Sequence, residues 1–358
     1  MKVVFRVDAN TEIGTGHLMR CLALASALRQ RGVVVQMISR ENKIGATMSI
    51  PHGDISLMQL PAHPTGVTWD KLWENDAQDT INALGSDKVD WLVVDHYGLD
   101  ARWETRVRKK VGRILVIDDL ANRPHDCDLL VDQNPGAEYL ERYKRWVSPS
   151  CRIFLGPQYA FLREEFRPYA SQNRLRTGRA DRFLISMGGA DLENVTKKAI
   201  QATRLAAPDA KVQVIVGYSN PHQADLKVLC AQDSSYHYVQ GTSEMARLMK
   251  DADMAIGAGG ITTWERCFMG LPAIVVTLAD NQERSVRAAA EGGAIVDAGW
   301  FHTLTVENLA KQISVLRSDS DKRRVMSERA IAMVPQDHHW AMDVLADHLQ
   351  HWETYAVA

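Results

Sequence analysis

The sequence predicts an α/β chain of two domains, each built on a parallel sheet with helices on both faces, with a cleft between the domains. Three observations predict it. Short β-rich runs alternate with longer amphipathic stretches along most of the chain, the pattern of strands buried beneath helices. The series restarts near Asp181 after a polar, Arg-rich stretch. The length of 358 residues exceeds what one hydrophobic core usually serves.

The first series runs KVVFRVD, a helix from about Gly16 to Arg31, VVVQMIS, WLVVDHY, RILVIDD and DLLVDQN. The second runs RFLISMGG, KVQVIVG, DMAIGAGG and PAIVVTL. Residues 1–165 form the N-terminal domain, 166–180 the linker and 181–335 the C-terminal domain. In the last segment, 336–358, Met342, Leu345, Leu349 and Trp352 stand at three- and four-residue steps. That spacing predicts a helix from Gln336 to Tyr355 that packs across the domain junction. The charged run RWETRVRKKVGR reads as a solvated helix face.

Composition narrows the classes of function. A formal charge of -2 argues against a general nucleic-acid binder. The five cysteines form no CxxC pair and cannot close a full disulfide set, which fits a reducing cytoplasm. MKVVFRVDAN runs directly into a strand and has no cleavage site. No apolar run approaches the roughly 18 to 20 residues of a membrane helix, so no integral membrane segment is expected. Walker A, G-x-S-x-G and H-E-x-x-H motifs are absent from the sequence.

Glycine turns carry the chemistry. After the first strand, NTEIGTGH leads through Gly14 and Gly16 to His17 at the head of a helix. Open backbone N–H groups and the helix dipole favour an anion there, although a tight turn alone also explains the glycines. A dinucleotide fingerprint fails, because its third glycine position holds Met19. A histidine in the first turn of a helix, where the dipole disfavours the imidazolium, suits a general base, and a purely structural histidine is the alternative.

IGAGGITTWERC presents Gly260, Ile261 and Thr262, with Thr262 and Thr263 as candidate N-caps of a helix running to Gly270. This turn suits a pyrophosphate, and Glu265 could accept hydrogen bonds from a ribose diol or merely stabilise the helix dipole. SMGGADLENVTKKA repeats the arrangement with Gly188 and Gly189, followed by Asp191 and Asn194. Asp95, His96 and Tyr97 lie at the carboxyl edge of a strand, where open α/β sheets bind ligands. Asp118 and Asp119 read as turn formers or helix caps. His125, Asp126 and Cys127 stand without a second ligand cluster at metal-like spacing, so no metal is expected.

In order along the chain, FRVDANTEIGTGHLMRCLALA, VVDHYGLD, DDLANRPHDCDLLVDQN, FLREEF, SMGGAD, AGGITTWE and DNQE resemble the UDP-2,4-diacetamido-2,4,6-trideoxy-β-L-altropyranose hydrolases of pseudaminic acid synthesis. That family is similar in turn to GT-B glycosyltransferases, notably the N-acetylglucosaminyl transferase of peptidoglycan synthesis. The resemblance implies two Rossmann-like domains facing a nucleotide-sugar cleft. It implies that water replaces UDP at the anomeric carbon with inversion, without a cofactor. It also implies His17 as general base, Tyr97 and Asn281 as residues that contact the sugar or support the base, and Gly260, Thr262 and Glu265, with neighbouring Gln282, as part of the UDP site. The alternatives are a GT-B glycosyltransferase using a UDP-amino sugar, an epimerase and a non-catalytic nucleotide-sugar binding module.

Overall fold

The structure is a computed structural model and describes residues 1–8, 16–40, 55–63, 67–135, 139–170, 172, 174–335 and 340–357. The chain divides into two compact units. One comprises 1–164 with 339–358, and the other 165–338.

The first unit holds β1 (Lys2–Val7), β2 (Val34–Ser39), β3 (Ser56–Gln59), β4 (Val89–Asp95), β5 (Val111–Ile117), β6 (Leu129–Asp132) and β7 (Arg152–Leu155). They form one sheet in the order β3-β2-β1-β4-β5-β6-β7, parallel at every pairing. Val3, Val4, Phe5, Leu92, Val93, Ile114 and Leu115 are fully buried, as strands covered on both faces require. Strand order reverses between β1 and β4, where Val7 pairs with Asp95. The carboxyl ends of these two strands therefore border the crevice that a doubly wound sheet offers to ligands.

The helix Gly16–Gln30 follows β1 and buries Leu18, Cys21, Leu22, Leu24, Ala25 and Leu28. A helix this apolar needs cover on more than one side. The C-terminal helix Ala341–Gln350 supplies part of it and buries Met342, Leu345, Ala346 and Leu349. At roughly 1.5–3 kcal/mol for each large side chain buried, this seam holds the last segment to the first unit. Trp91 Nε1 also donates to the Leu349 carbonyl at 3.0 Å, and the Arg152 guanidinium lies 3.8 Å from the Trp352 ring centroid. Trp352 thus anchors the chain beyond the helix end. The start of the helix expected over 336–355 falls partly on 336–339, outside the described residues.

The second unit holds β8 (Arg182–Ser186), β9 (Lys211–Val216), β10 (Tyr236–Gln240), β11 (Met254–Ala258), β12 (Ala273–Thr277) and β13 (Val296–Trp300). Their order is β10-β9-β8-β11-β12-β13, and order reverses between β8 and β11, where Ile185 pairs with Ile256. Phe183, Ile185, Val214, Ile256 and Ile274 lie in its core.

Two expectations are corrected. The run 102–113 is not one solvated helix. A helix over Ala101–Val107 buries Trp103, Glu104 and Val107, a short 3-10 turn spans Arg108–Lys110, and β5 begins at Val111. The stretch read as a linker is built into the second unit, although Asn173 within it lies outside the described residues. Arg174 donates to the carbonyls of Lys250 at 2.7 Å and Ala252 at 3.1 Å and pairs with Asp253 at 2.5 Å. Buried Arg176 donates to the carbonyls of Met249 at 3.0 Å, Gly270 at 2.9 Å and Met269. These carbonyls end the helices Met245–Asp251 and Ile261–Phe268, where carbonyls lack intrahelical partners and attract cations.

Candidate active site

His17 is the second residue of its helix and is buried, with 5% exposure. Its Nδ1 lies 2.5 Å from Asp95 Oδ1. Asp95 ends β4 and is 1% exposed. Arg20, one helical turn beyond His17, donates from Nε to Asp95 Oδ2 at 2.5 Å and from Nη2 to Oδ1 at 2.6 Å. Although burial pushes Asp95 upward, Arg20 and then His17 hold its carboxyl well below the usual carboxylate range. Asp95 is therefore an anion, and the proton between it and His17 belongs to Nδ1. In the neutral imidazole that fixes the tautomer and leaves Nε2 as the acceptor. No described residue hydrogen-bonds Nε2. The Tyr97 ring packs edge-on against the imidazole, centroids 4.5 Å apart.

Only part of this constellation is legible in the sequence. VVDHYGLD places Asp95 and Tyr97 at a strand's edge, but nothing in it pairs Asp95 with His17. Arg20 carried a local signal, because residues three apart share a helix face. The turn leading into the helix, with Gly14, lies outside the described residues, and Gly16 is its first helical residue.

A second histidine at the same sheet edge has a different bonding pattern. His96 Nδ1 accepts from the Gly98 N–H at 3.0 Å, and its Nε2 lies 3.2 Å from Asp8. Nδ1 is thus occupied by the backbone and Nε2 faces a carboxylate of the protein, and burial pushes His96 toward the neutral form. Asp8 in turn pairs with buried Arg6. His96 belongs to the scaffold.

Asp118 forms the turn expected of it: its Oδ2 accepts from the N–H groups of Leu120 at 3.2 Å and Ala121 at 2.8 Å. Asp119 instead joins Arg20 Nη1 at 2.8 Å. The Tyr143 hydroxyl lies 2.9 Å from Asp118 Oδ2 and 3.0 Å from Asp132 Oδ2. One phenolic proton cannot serve two carboxylates, so a protonated Asp132 donating to the phenol oxygen completes the arrangement. Burial pushes Asp132 up to about 7, with Arg142 opposing and the charges of Asp119 and Asp118 adding to the rise. His125 Nδ1 meets Glu104 at 2.8 Å. Among the described residues no group of three or more His, Cys, Asp or Glu side chains could hold a metal ion.

The second unit carries the other expected positions. Gly260 takes φ 94° ahead of the helix Ile261–Phe268, which has no side-chain N-cap. Thr262 and Thr263 therefore lie inside the first turn and are not caps. A helix start with no capping side chain presents N–H donors to an anion. A Cβ at Gly259 would stand 2.8 Å from Val286 and 2.9 Å from Gln282, so the glycine lets the Asp280–Glu291 helix approach. Gln282 Oε1 accepts from the Leu278 N–H at 3.0 Å. Asn281 stands in the first turn of that helix, half-buried, and Glu265 is buried.

The turn after β8 does not repeat this arrangement. Asp191 accepts from the Val195 and Thr196 N–H groups at 2.8 and 2.9 Å, so a carboxylate of the protein already fills that helix end. What remains open there is close backbone approach. Gly188 takes φ 83° with open space where a Cβ would stand, whereas Gly189 packs against Gly217, whose Cβ would stand 2.1 Å from the Gly189 carbonyl oxygen.

Residues 185–339 match the glycosyltransferase family 28 C-terminal domain. The chain is 25% identical over 324 residues to the spore coat polysaccharide biosynthesis protein SpsG of Bacillus subtilis, covering 89% of each. It is 26% identical over 299 residues to the UDP-2,4-diacetamido-2,4,6-trideoxy-beta-L-altropyranose hydrolase of Campylobacter jejuni, covering 83% of this chain and 99% of that one. Acinetobacter baumannii MurG matches with a TM-score of 0.66 at 16% identity, over 98% of this chain and 99% of that one. Phytolacca americana UGT2, solved with UDP-2fluoro-glucose and pterostilbene, matches with a TM-score of 0.68 at 13% identity over 100% of both chains.

The fold is GT-B. In this GT-B chain the family 28 match covers the unit that carries the Gly188, Gly260 and Asn281 turns, and the resemblance to the hydrolase spans both units. Among the described residues no helix is long and apolar enough to cross a membrane.

Proposed function

We propose that this chain is an enzyme that hydrolyses a UDP-linked 2,4-diacetamido-2,4,6-trideoxy sugar of the β-L-altropyranose type, with His17 as general base. The observation that carries the reading is the bonding of His17: Nδ1 is held by an ionised, buried Asp95, and Nε2 is bonded by no described residue. His17 Nε2 takes a proton from water, the water oxygen bonds to the anomeric carbon from the face opposite UDP, and the C–O bond to the diphosphate breaks. UDP leaves with the electron pair, and the proton on His17 passes to solvent. Asp95 is a positioning residue that also stabilises the imidazolium as it forms.

Tyr97 and Asn281 contact the sugar or support the base. The Gly260 turn, with the N–H groups of Ile261 and Thr262, receives the diphosphate, Glu265 the ribose, and Gly16, Gly188, Gly189 and Gln282 complete the UDP-sugar site. Helix-end donors stabilise the leaving anion without a metal ion. The reaction takes place in the cytoplasm and supplies free sugar for pseudaminic acid synthesis. The ordered motifs, the hydrolase of Campylobacter jejuni and the neighbour solved with a UDP-sugar analogue support this reading.

The family 28 match favours a second reading, transfer of the sugar to an acceptor. Following UDP release from the UDP-sugar in buffer alone separates the two. Stoichiometric UDP and free sugar support hydrolysis, whereas turnover only after an acceptor is added supports transfer.

A further inference from the structure

Asp8, Asp95, Asp118, Asp119 and Asp132 line the carboxyl edge of the β1–β7 sheet, and four of them have both oxygens engaged. Asp8 accepts from Arg6, Ser39 and the Arg40 N–H. Asp95 accepts from His17 and Arg20. Asp118 accepts from Arg123, Tyr143 and two backbone N–H groups. Asp132 meets the Asn134 N–H and the Tyr143 hydroxyl. Asp119 differs. Its Oδ2 accepts from Arg20, while its Oδ1 is buried with no hydrogen-bond partner among the described residues. An unpaired carboxylate oxygen withdrawn from water is destabilising, so an incoming donor stabilises this position.

The donor's chemistry follows from the neighbours. His17, Asp95, Arg20 and Asp119 form one unbroken chain of contacts, and Arg142 donates to the Asp119 carbonyl beside it. The open oxygen of Asp119 is an acceptor. A diphosphate near neutral pH offers only further acceptors and cannot satisfy it, whereas a neutral sugar offers hydroxyl and amide N–H donors. The Asp119 side chain keeps 9% exposure, carried by atoms other than the withdrawn Oδ1, so the residue stands at the margin of the core. Resting on the reading of this site as one that takes a nucleotide sugar, we propose that Asp119 is a substrate-binding residue whose unpaired oxygen accepts a hydrogen bond from a hydroxyl or amide N–H of the sugar moiety.

The test compares two ligands in a His17→Asn background, which keeps the sugar nucleotide intact. Isothermal titration with UDP and with UDP-2,4-diacetamido-2,4,6-trideoxy-β-L-altropyranose is run with and without Asp119→Asn. The amide oxygen that this substitution introduces can serve Arg20, which turns the amide NH2 toward the sugar donor. The sugar nucleotide is therefore expected to bind about 10- to 100-fold more weakly, and UDP within about two-fold of its original affinity. Asp119→Ser, which leaves room for a water, replaces the Asp119→Asn variant if thermal melting shows the latter unfolded. Equal losses for both ligands, or no loss for either, overturn the proposal, as does a sugar nucleotide that binds no tighter than UDP in the His17→Asn protein. Wild-type protein that binds the sugar nucleotide yet releases no UDP defeats the hydrolase reading alone, and the binding contrast still decides Asp119.

Discussion

Asp95 holds His17 through Nδ1 at 2.5 Å and is itself gripped by both ends of the Arg20 guanidinium fork. The pair joins the carboxyl end of β4 to the first turn of the helix after β1, so the sheet's switch point and the proposed base are one piece of structure. A carboxylate in this place needs a cation to remain ionised, and Arg20 provides it.

Replacing Asp95 with Asn keeps the shape but removes the charge that selects the Nδ1–H tautomer. Turnover is expected to fall about 10²- to 10⁴-fold with little change in KM. Steady-state kinetics check this, and a kcat within a few-fold of wild type would show that Asp95 does not act through His17.

Asp132 links pH to stability. Burial pushes its carboxyl up to about 7, against about 3.9 in an unfolded chain. Between those values the folded chain keeps a proton that the unfolded chain has released. The group's contribution is therefore full below about pH 4 and lost as pH rises through about 7. Asp132→Asn is expected to flatten this decline, by of order 2–4 kcal/mol across the interval, in urea unfolding followed at several pH values. Parallel stability curves for the two proteins would refute it.

Arg176 gives a prediction for the second unit. Its guanidinium serves carbonyls at the ends of two helices, and Arg176→Met removes that donor from the Met249 and Met269 carbonyls, while Gly270 keeps the Ser327 hydroxyl. A loss of about 2–4 kcal/mol is expected in denaturant unfolding, and a loss below about 1 kcal/mol would make the contacts incidental.

Much of this was legible in the chain. Largely apolar strands such as KVVFRV and LLVD read as buried, so the repeated parallel sheets follow from period and composition. His17 was legible because glycines precede it at a helix start. Asp95 as its partner was not, since the contact joins residues 78 apart in sequence and depends on which strands neighbour each other. Asp191 misled for a related reason: a glycine turn ahead of a helix looks open until the side chain that fills it is placed. Arg174 and Arg176 lie in a stretch whose composition resembles a connector, and only the carbonyls they meet reveal their part in the fold.

In the proposed reaction, helix-end donors take the place of a divalent cation at the diphosphate turn. Dialysis against EDTA is therefore expected to leave UDP release unchanged, and loss of activity that Mg²⁺ restores would contradict this.

Activation of water by His17 for attack at the anomeric carbon is tested by incubating wild-type protein and a His17→Asn variant with the UDP-linked 2,4-diacetamido sugar in ¹⁸O-water, then following UDP and free sugar by mass spectrometry. The expected result is label in the sugar for wild type, with release lost in the variant. Label in UDP, or release that survives the substitution, would contradict it.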